Sequence, residues 1–140
     1  MNAGTNPNSV AMGDFNGDGW LDLAVVDYQS LLVLLGNGDG TFRAARPVSF
    51  GDYPVFVAVA DFNGDGWLDL AVANAGFSNY VSVFLGNGDA SFRYPRDFAV
   101  ARNPEFIAVG DFNADERLDL AASNTLAVGT VSVLINNTGK

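Results

Sequence analysis

The sequence predicts an all-β fold of stacked, four-stranded antiparallel sheets, and three observations lead there. The chain repeats itself: "DFNGDGWLD" stands at 14–22 and again at 61–69, and an eroded copy, "DFNADERLD", stands at 111–119. The steps from Asp14 to Asp61 and from Asp61 to Asp111 are 47 and 50 residues, a period that belongs to solenoids, propellers and arrays. Each unit then holds four short apolar runs punctuated by Gly, Asn, Asp and Pro, with no sustained 3.6-residue periodicity, which reads as strands. Finally, both faces of those strands are apolar. In "LDLAVVD", Leu21, Leu23 and Val25 fall on one side and Ala24 and Val26 on the other, so the sheet needs cover on both sides.

The elements follow in order. Pro7, Pro54 and Pro104 align, followed by "SVAMGDF", "FVAVADF" and "FIAVGDF". We read one repeat domain over 1–140, with units at 7–53, 54–103 and 104–140. In the second unit the strands are expected at about Phe56–Asp61, Leu68–Asn74, Tyr80–Leu85 and Ser91–Val100. The turn "GNGDG" between the third and fourth strands supplies residues that tolerate positive φ, which a tight hairpin needs. Four-stranded meanders at this spacing are what a propeller blade is made of. The third unit ends in "VSVLINNTGK" with no fourth strand, and the six residues before Pro7 are too few to supply a good one. Three blades do not close a ring, since propellers typically use four to eight. The sequence therefore predicts either a piece of a larger propeller or self-association through the end blades, whose outer faces would expose apolar residues and a bare edge at Val131–Ile135.

Composition narrows the chemistry. With 140 residues and 49% hydrophobic content the chain is long enough and apolar enough for a packed core. The formal charge of −9 is concentrated, because nine of the sixteen acids are the aspartates of the three nonapeptides. The seven Lys and Arg form no basic stripe, which argues against a nucleic acid partner. There is no histidine, the commonest general base and usual zinc ligand, and no cysteine, so there is neither a thiolate nucleophile nor a disulfide framework. No segment reaches the roughly 18 consecutive apolar residues a membrane span requires. No catalytic residues are assigned.

The nonapeptide D-x-N-x-D-G-x-x-D places side-chain oxygens at positions 1, 3, 5 and 9, with glycine where the chain turns sharply. Calcium takes six to eight oxygens, and a tight loop offering alternate side chains plus a backbone carbonyl supplies them; magnesium, which demands strict octahedral geometry, suits it less. The ligands expected in the first copy are Asp14, Asn16, Asp18, the carbonyl of Trp20, and Asp22. The second copy offers Asp61, Asn63, Asp65, the carbonyl of Trp67, and Asp69. The third keeps Asp111, Asn113, Asp115 and Asp119, with Arg117 at the carbonyl position, but Ala114 and Glu116 replace both glycines, so weaker or absent binding is expected there. A helix-loop-helix calcium site is ruled out, because position 12 is Val25 or Val72 inside an apolar strand and not a bidentate Glu. Against all of this stands the plain reading that Asp, Asn and Gly clusters are turns that bind nothing.

The pattern "VAVADFNGDGWLDLAVAN…VSVFLGNGDASF" covers nearly the whole chain and resembles the FG-GAP/VCBS repeat family. The resemblance implies β-propeller blades with calcium in the loop between the first two strands of each blade, and an extracellular or cell-surface setting.

The remaining residues carry paired readings. Trp20 and Trp67 are either stacking platforms for sugars or, as we favour, residues that shield the metal loop or pack on a neighbouring blade. Phe42 and Phe92 are expected in the core, Arg43 and Arg93 beside nearby acids, and Asp39 and Asp89 in plain hairpin turns. The function expected is a non-enzymatic, calcium-stabilised binding or adhesion module with a glycan or protein ligand, contacted through the blade-junction loops Asn74–Asn79 and Ser123–Gly129. The alternative is an architectural unit that self-assembles without a small ligand.

Overall fold

The apolar runs become strands that pair with their neighbours in sequence, in a computed structural model that describes residues 3–50 (the Phe50 side chain aside), 53–77, 79–125 and 128–138. The first sheet consists of β1 (Pro7–Gly13), β2 (Asp22–Asp27), β3 (Ser30–Leu34) and β4 (Arg46–Phe50). The second holds β5 (Pro54–Ala60), β6 (Asp69–Asn74), β7 (Tyr80–Phe84) and β8 (Arg96–Ala99). The third holds β9 (Pro104–Gly110), β10 (Asp119–Asn124) and β11 (Thr130–Leu134). All three are antiparallel meanders in chain order, as short connections dictate. Among the described residues there is no helix, and none long and apolar enough to cross a membrane.

The second sheet departs from expectation at its outer strand. β8 begins at Arg96, five residues later than Ser91, because Pro95 has no N–H to give a ladder. Phe92 is held instead by a single bridge to Gly86, as Phe42 is by Gly36.

The sheets stack as blades, with β5 lying between β1 and β9, so the first strand of each sheet lines the common axis. The split of "LDLAVVD" into two apolar faces is what makes this work. Ala24 and Val26 enter a core shared with Val57, Leu70, Val72 and Phe84 of the second blade, while Val25 packs with Leu32 and Leu34 on the opposite face. The second blade repeats the arrangement, its Ala71, Ala73 and Val81 meeting Ile107, Leu120 and Ala122 of the third. The result is an open arc of three propeller blades.

Candidate functional site

Each nonapeptide links the first strand of a blade to the second and is folded by its own carboxylates. In the first, Asp14 Oδ1 accepts hydrogen bonds from the N–H groups of Gly17 and Asp18 (2.8 and 3.2 Å), and Oδ2 accepts one from Gly19 (2.8 Å). Asp18 Oδ1 accepts from Trp20 N–H (2.9 Å), while the Asn16 amide donates to Asp18 Oδ2 (2.8 Å) and accepts from Asp18 N–H (3.1 Å). The second loop repeats the six bonds on Asp61, Asn63 and Asp65. Gly17 and Gly19 take φ of 71° and 86°, which is why glycine stands there.

The ninth residue does something else. Asp22 is fully buried, and its Oδ2 and Oδ1 accept the N–H groups of Phe15 (3.0 Å) and Gly36 (2.8 Å). Asp69 clamps Phe62 (2.9 Å) and Gly86 (2.8 Å), and Asp119 clamps Phe112 (2.9 Å) and Asn136 (2.8 Å). One carboxylate thus ties the start of the loop to the end of the blade's third strand, satisfying two amides that have no ladder partner. Burial pushes the Asp69 carboxyl above its usual pKa, against the pull of its two backbone donors. This structural role was missed by a reading that saw only a ligand; its signal was an aspartate at the head of an apolar strand.

The donor set of the first two loops, three carboxylates with an amide and a carbonyl, is the all-oxygen chemistry a hard cation takes. Among the described residues, no three acidic side chains are gathered into a ready-made metal site. The Asn16 and Asn63 amino groups lie on Asp18 and Asp65, contacts an incoming cation must displace. The third loop keeps the same shape, forcing Ala114 and Glu116 to φ of 61° and 66°, a left-handed conformation that costs roughly 1–2 kcal/mol per non-glycine residue. It also carries a cation of its own. The Arg117 guanidinium holds Asp115 Oδ2 through Nη2 (2.6 Å) and Nε (3.1 Å), and this pairing lowers the Asp115 pKa. A metal in the third loop would have to compete with that side chain.

The tryptophans pack on their own hairpins. A Cβ on Gly38 would collide with the Trp20 ring and one on Gly88 with the Trp67 ring; Trp67 also reaches across to Gly17 in the loop of the preceding blade, 3.4 Å from the position of a Cβ there. Trp67 therefore packs on a neighbouring blade as expected, whereas Trp20 packs on its own blade and both rings stay partly exposed. Asp39 and Asp89 are hairpin-turn residues, each accepting from the N–H and hydroxyl of Thr41 or Ser91, bonds that lower both pKa values. Arg43 and Arg93 differ from expectation: each Nε donates to a hairpin asparagine, Asn37 (3.4 Å) or Asn87 (3.3 Å), and not to an acid. Phe92 joins the core between the first two blades, edge-on to Phe15 at 5.9 Å, and Phe42 packs on the opposite face of the first blade.

A groove of ≈ 420 Å³ opens between the first and second blades. Along its wall the Asn74 amide donates to Ser82 Oγ (3.0 Å), whose hydroxyl donates to the exposed Asp97 (2.6 Å), and Tyr94 stands almost fully exposed at the rim. Of the blade-junction residues expected to bind a ligand, Asn74 lies in this groove. Ser78 and residues 126–127 fall outside the described residues.

Residues 14–72 and 61–122 match the model of the FG-GAP-like repeat. Among solved structures, the chain is similar to a lectin of Agrocybe aegerita that specifically recognises non-reducing terminal N-acetylglucosamine, with 26% identity and a TM-score of 0.56. The match covers 91% of this chain and 38% of the lectin, so the chain spans well under half of that protein. No curated protein matched.

Proposed function

The chain belongs to the FG-GAP-like repeat family, and from that premise we propose that it is a non-enzymatic, carbohydrate-binding propeller module whose blades are stabilised by calcium. The observation that carries this reading is the groove between the first and second blades. Its volume lies within the range of ligand clefts, its wall presents an ordered amide, hydroxyl and carboxylate, and its rim offers an aromatic face. Such a combination suits a sugar, whose hydroxyls need directed donors and acceptors while its C–H face stacks on an aromatic ring. The likeness to a lectin points the same way.

Catalysis finds no support in the residues. The acids recur in threes, hold their own loops, and have no histidine or cysteine beside them. The metal in this reading is structural: at free calcium ten times the dissociation constant, each occupied loop stabilises the fold by about 1.4 kcal/mol. Weak loop sites of this kind fit an extracellular or cell-surface setting, where affinities of roughly 10⁻⁴–10⁻³ M suffice.

The test is calorimetric titration with glycans ending in N-acetylglucosamine and, in parallel, with glucose, on the wild type and on Tyr94→Ala and Asp97→Ala. Binding by the wild type that both variants lose supports the groove. A folded wild type that binds no member of a broad glycan array sinks the carbohydrate reading and leaves the architectural one.

A further inference from the structure

The segment that leads from one blade to the next ends in a residue held in the left-handed region, Tyr53 at φ 53° before the second blade and Asn103 at φ 58° before the third. The backbone does the same work at both places: the Tyr53 carbonyl accepts the Ala75 N–H (3.0 Å), and the Asn103 carbonyl accepts the Thr125 N–H (3.1 Å). Asparagine tolerates that conformation, whereas a bulky aromatic residue is an outlier in it. Asn103 also ties the second and third blades together, donating from Nδ2 to Thr125 Oγ1 (2.7 Å) and from its N–H to Asn79 Oδ1 (2.7 Å). The Tyr53 side chain reaches instead to Tyr28, whose place in the next two units is taken by Ala75 and Thr125. The two rings meet edge to face with centroids 4.7 Å apart, their hydroxyls share a hydrogen bond of 2.6 Å, and the residues are 42% and 41% exposed. The blade plan requires neither tyrosine, and a strained aromatic where the fold elsewhere uses asparagine points to a task outside the fold.

The pair continues the groove between the first and second blades. Tyr53 is bonded to Pro54 and Tyr28 stands two residues before Ser30, and both Pro54 and Ser30 line the groove. At about 3.8 Å between successive Cα atoms, the two rings start within one or two steps of its wall. The register of the second blade fixes the order along that wall. It runs from Val83 opposite Arg96, past Ser82 opposite Asp97, to Tyr80 opposite Asn74, at the end of the blade that carries Ala75 and its bond to Tyr53. Tyr94, which precedes Arg96, thus marks one end of the groove and the Tyr28–Tyr53 pair the other. We propose that this pair is a second carbohydrate subsite, taking the next unit of an oligosaccharide whose first unit lies on the wall of Asn74, Ser82 and Asp97. The proposal rests on the carbohydrate reading of the groove and extends it from one sugar to a chain of them. A sugar ring has a C–H face that stacks on an exposed aromatic ring and hydroxyls at its edge. One phenol hydrogen is used between the two tyrosines, so the other remains to donate to the sugar, and both oxygens can still accept. The hydrogen bond with Tyr53 pushes the Tyr28 hydroxyl above its usual 10.0, so it stays neutral and suits an uncharged ligand. At the second junction the same two places hold Ala75 and Asn103, so the longer ligand is read at the first junction.

Calorimetric titration with N-acetylglucosamine and with its β-1,4-linked dimer separates the subsite from the rest of the groove. The wild type is expected to bind the dimer about tenfold more tightly than the monosaccharide, the equivalent of about 1.4 kcal/mol. Tyr28→Ala and Tyr53→Asn each install the residue found at the matching place in the next unit. Both should bring that ratio close to one while leaving the monosaccharide affinity within about twofold of the wild type. Tyr53→Asn should also keep the thermal midpoint within about 4 °C, because it exchanges a ring contact for relief of strain. A wild type that binds the two ligands equally, or variants that keep the tenfold preference, overturn the subsite and leave the groove standing. A midpoint for Tyr53→Asn lower by more than about 4 °C overturns it as well, by making the pair a pin between blades. Binding of neither ligand by the wild type overturns the carbohydrate reading of the groove and the subsite with it.

Discussion

Replacing the buried Asp69 separates a structural clamp from a metal ligand. Its two oxygens accept the N–H groups of Phe62 and Gly86, and all three residues are buried. Asp69→Ala leaves two amides without partners, at about 1–3 kcal/mol each, so the expected loss is about 2–6 kcal/mol. Asp69→Asn keeps one acceptor and turns an amino group toward the other N–H, which costs about 1–3 kcal/mol; part of this is returned because a buried charge is removed. The measurement is urea unfolding of all three proteins in excess chelator, where no divalent ion contributes. Typical domains are stable by 5–15 kcal/mol, so the alanine variant stands near the limit of folding. An alanine variant within 0.5 kcal/mol of the wild type in chelator would refute the clamp and return Asp69 to a ligand role alone.

Other expectations follow from the same geometry. Chelation should lower wild-type stability by about 3 kcal/mol if two loops are each saturated tenfold, with magnesium failing to restore it; an unchanged thermal midpoint would make the nonapeptides simple turns. Gly86→Ala drives a Cβ into the Leu68 carbonyl oxygen and should cost about 1–3 kcal/mol by denaturant unfolding, the cost of overpacking a close contact. On acidification, Asp27, Asp39 and Asp89 set the direction. Hydrogen bonds hold each below the usual 3.8, led by the Thr5 N–H for Asp27 and by the Thr41 and Ser91 hydroxyls for the turn acids. Their stabilisation is therefore complete above 3.8 and lost as pH falls below it through the lower folded values. Asp69, raised by burial, runs the other way, its ionisation disfavoured in the fold, so stability it contributes returns as pH falls from its folded value toward 3.8. Unfolding midpoints from pH 7 to 2.5 should accordingly fall most steeply below 3.8, and Asp39→Asn should flatten that fall.

The repeat, the strand type and the blade plan were legible in the sequence because they are local. A 47- to 50-residue period, Gly and Asn at turns, and apolar residues on both faces of "LDLAVVD" act through backbone preference and period-two alternation, which neighbours in the chain reveal. The acidic loops were legible for the same reason, since every bond that folds Asp14 to Trp20 spans five residues or fewer. Tertiary structure decided what depends on residues distant in the chain. Asp22 and Asp69 are clamps only because Gly36 and Gly86 return to them across the blade. The groove of Asn74, Ser82 and Asp97 exists where β6, β7 and β8 lie side by side and a second blade forms the other wall. Phe15 and Phe112 occupy the same place in the repeat, and one is buried while the other is half exposed. Burial is a property of what stacks next to a blade, and that is fixed by packing between units, not by the residues of any one of them.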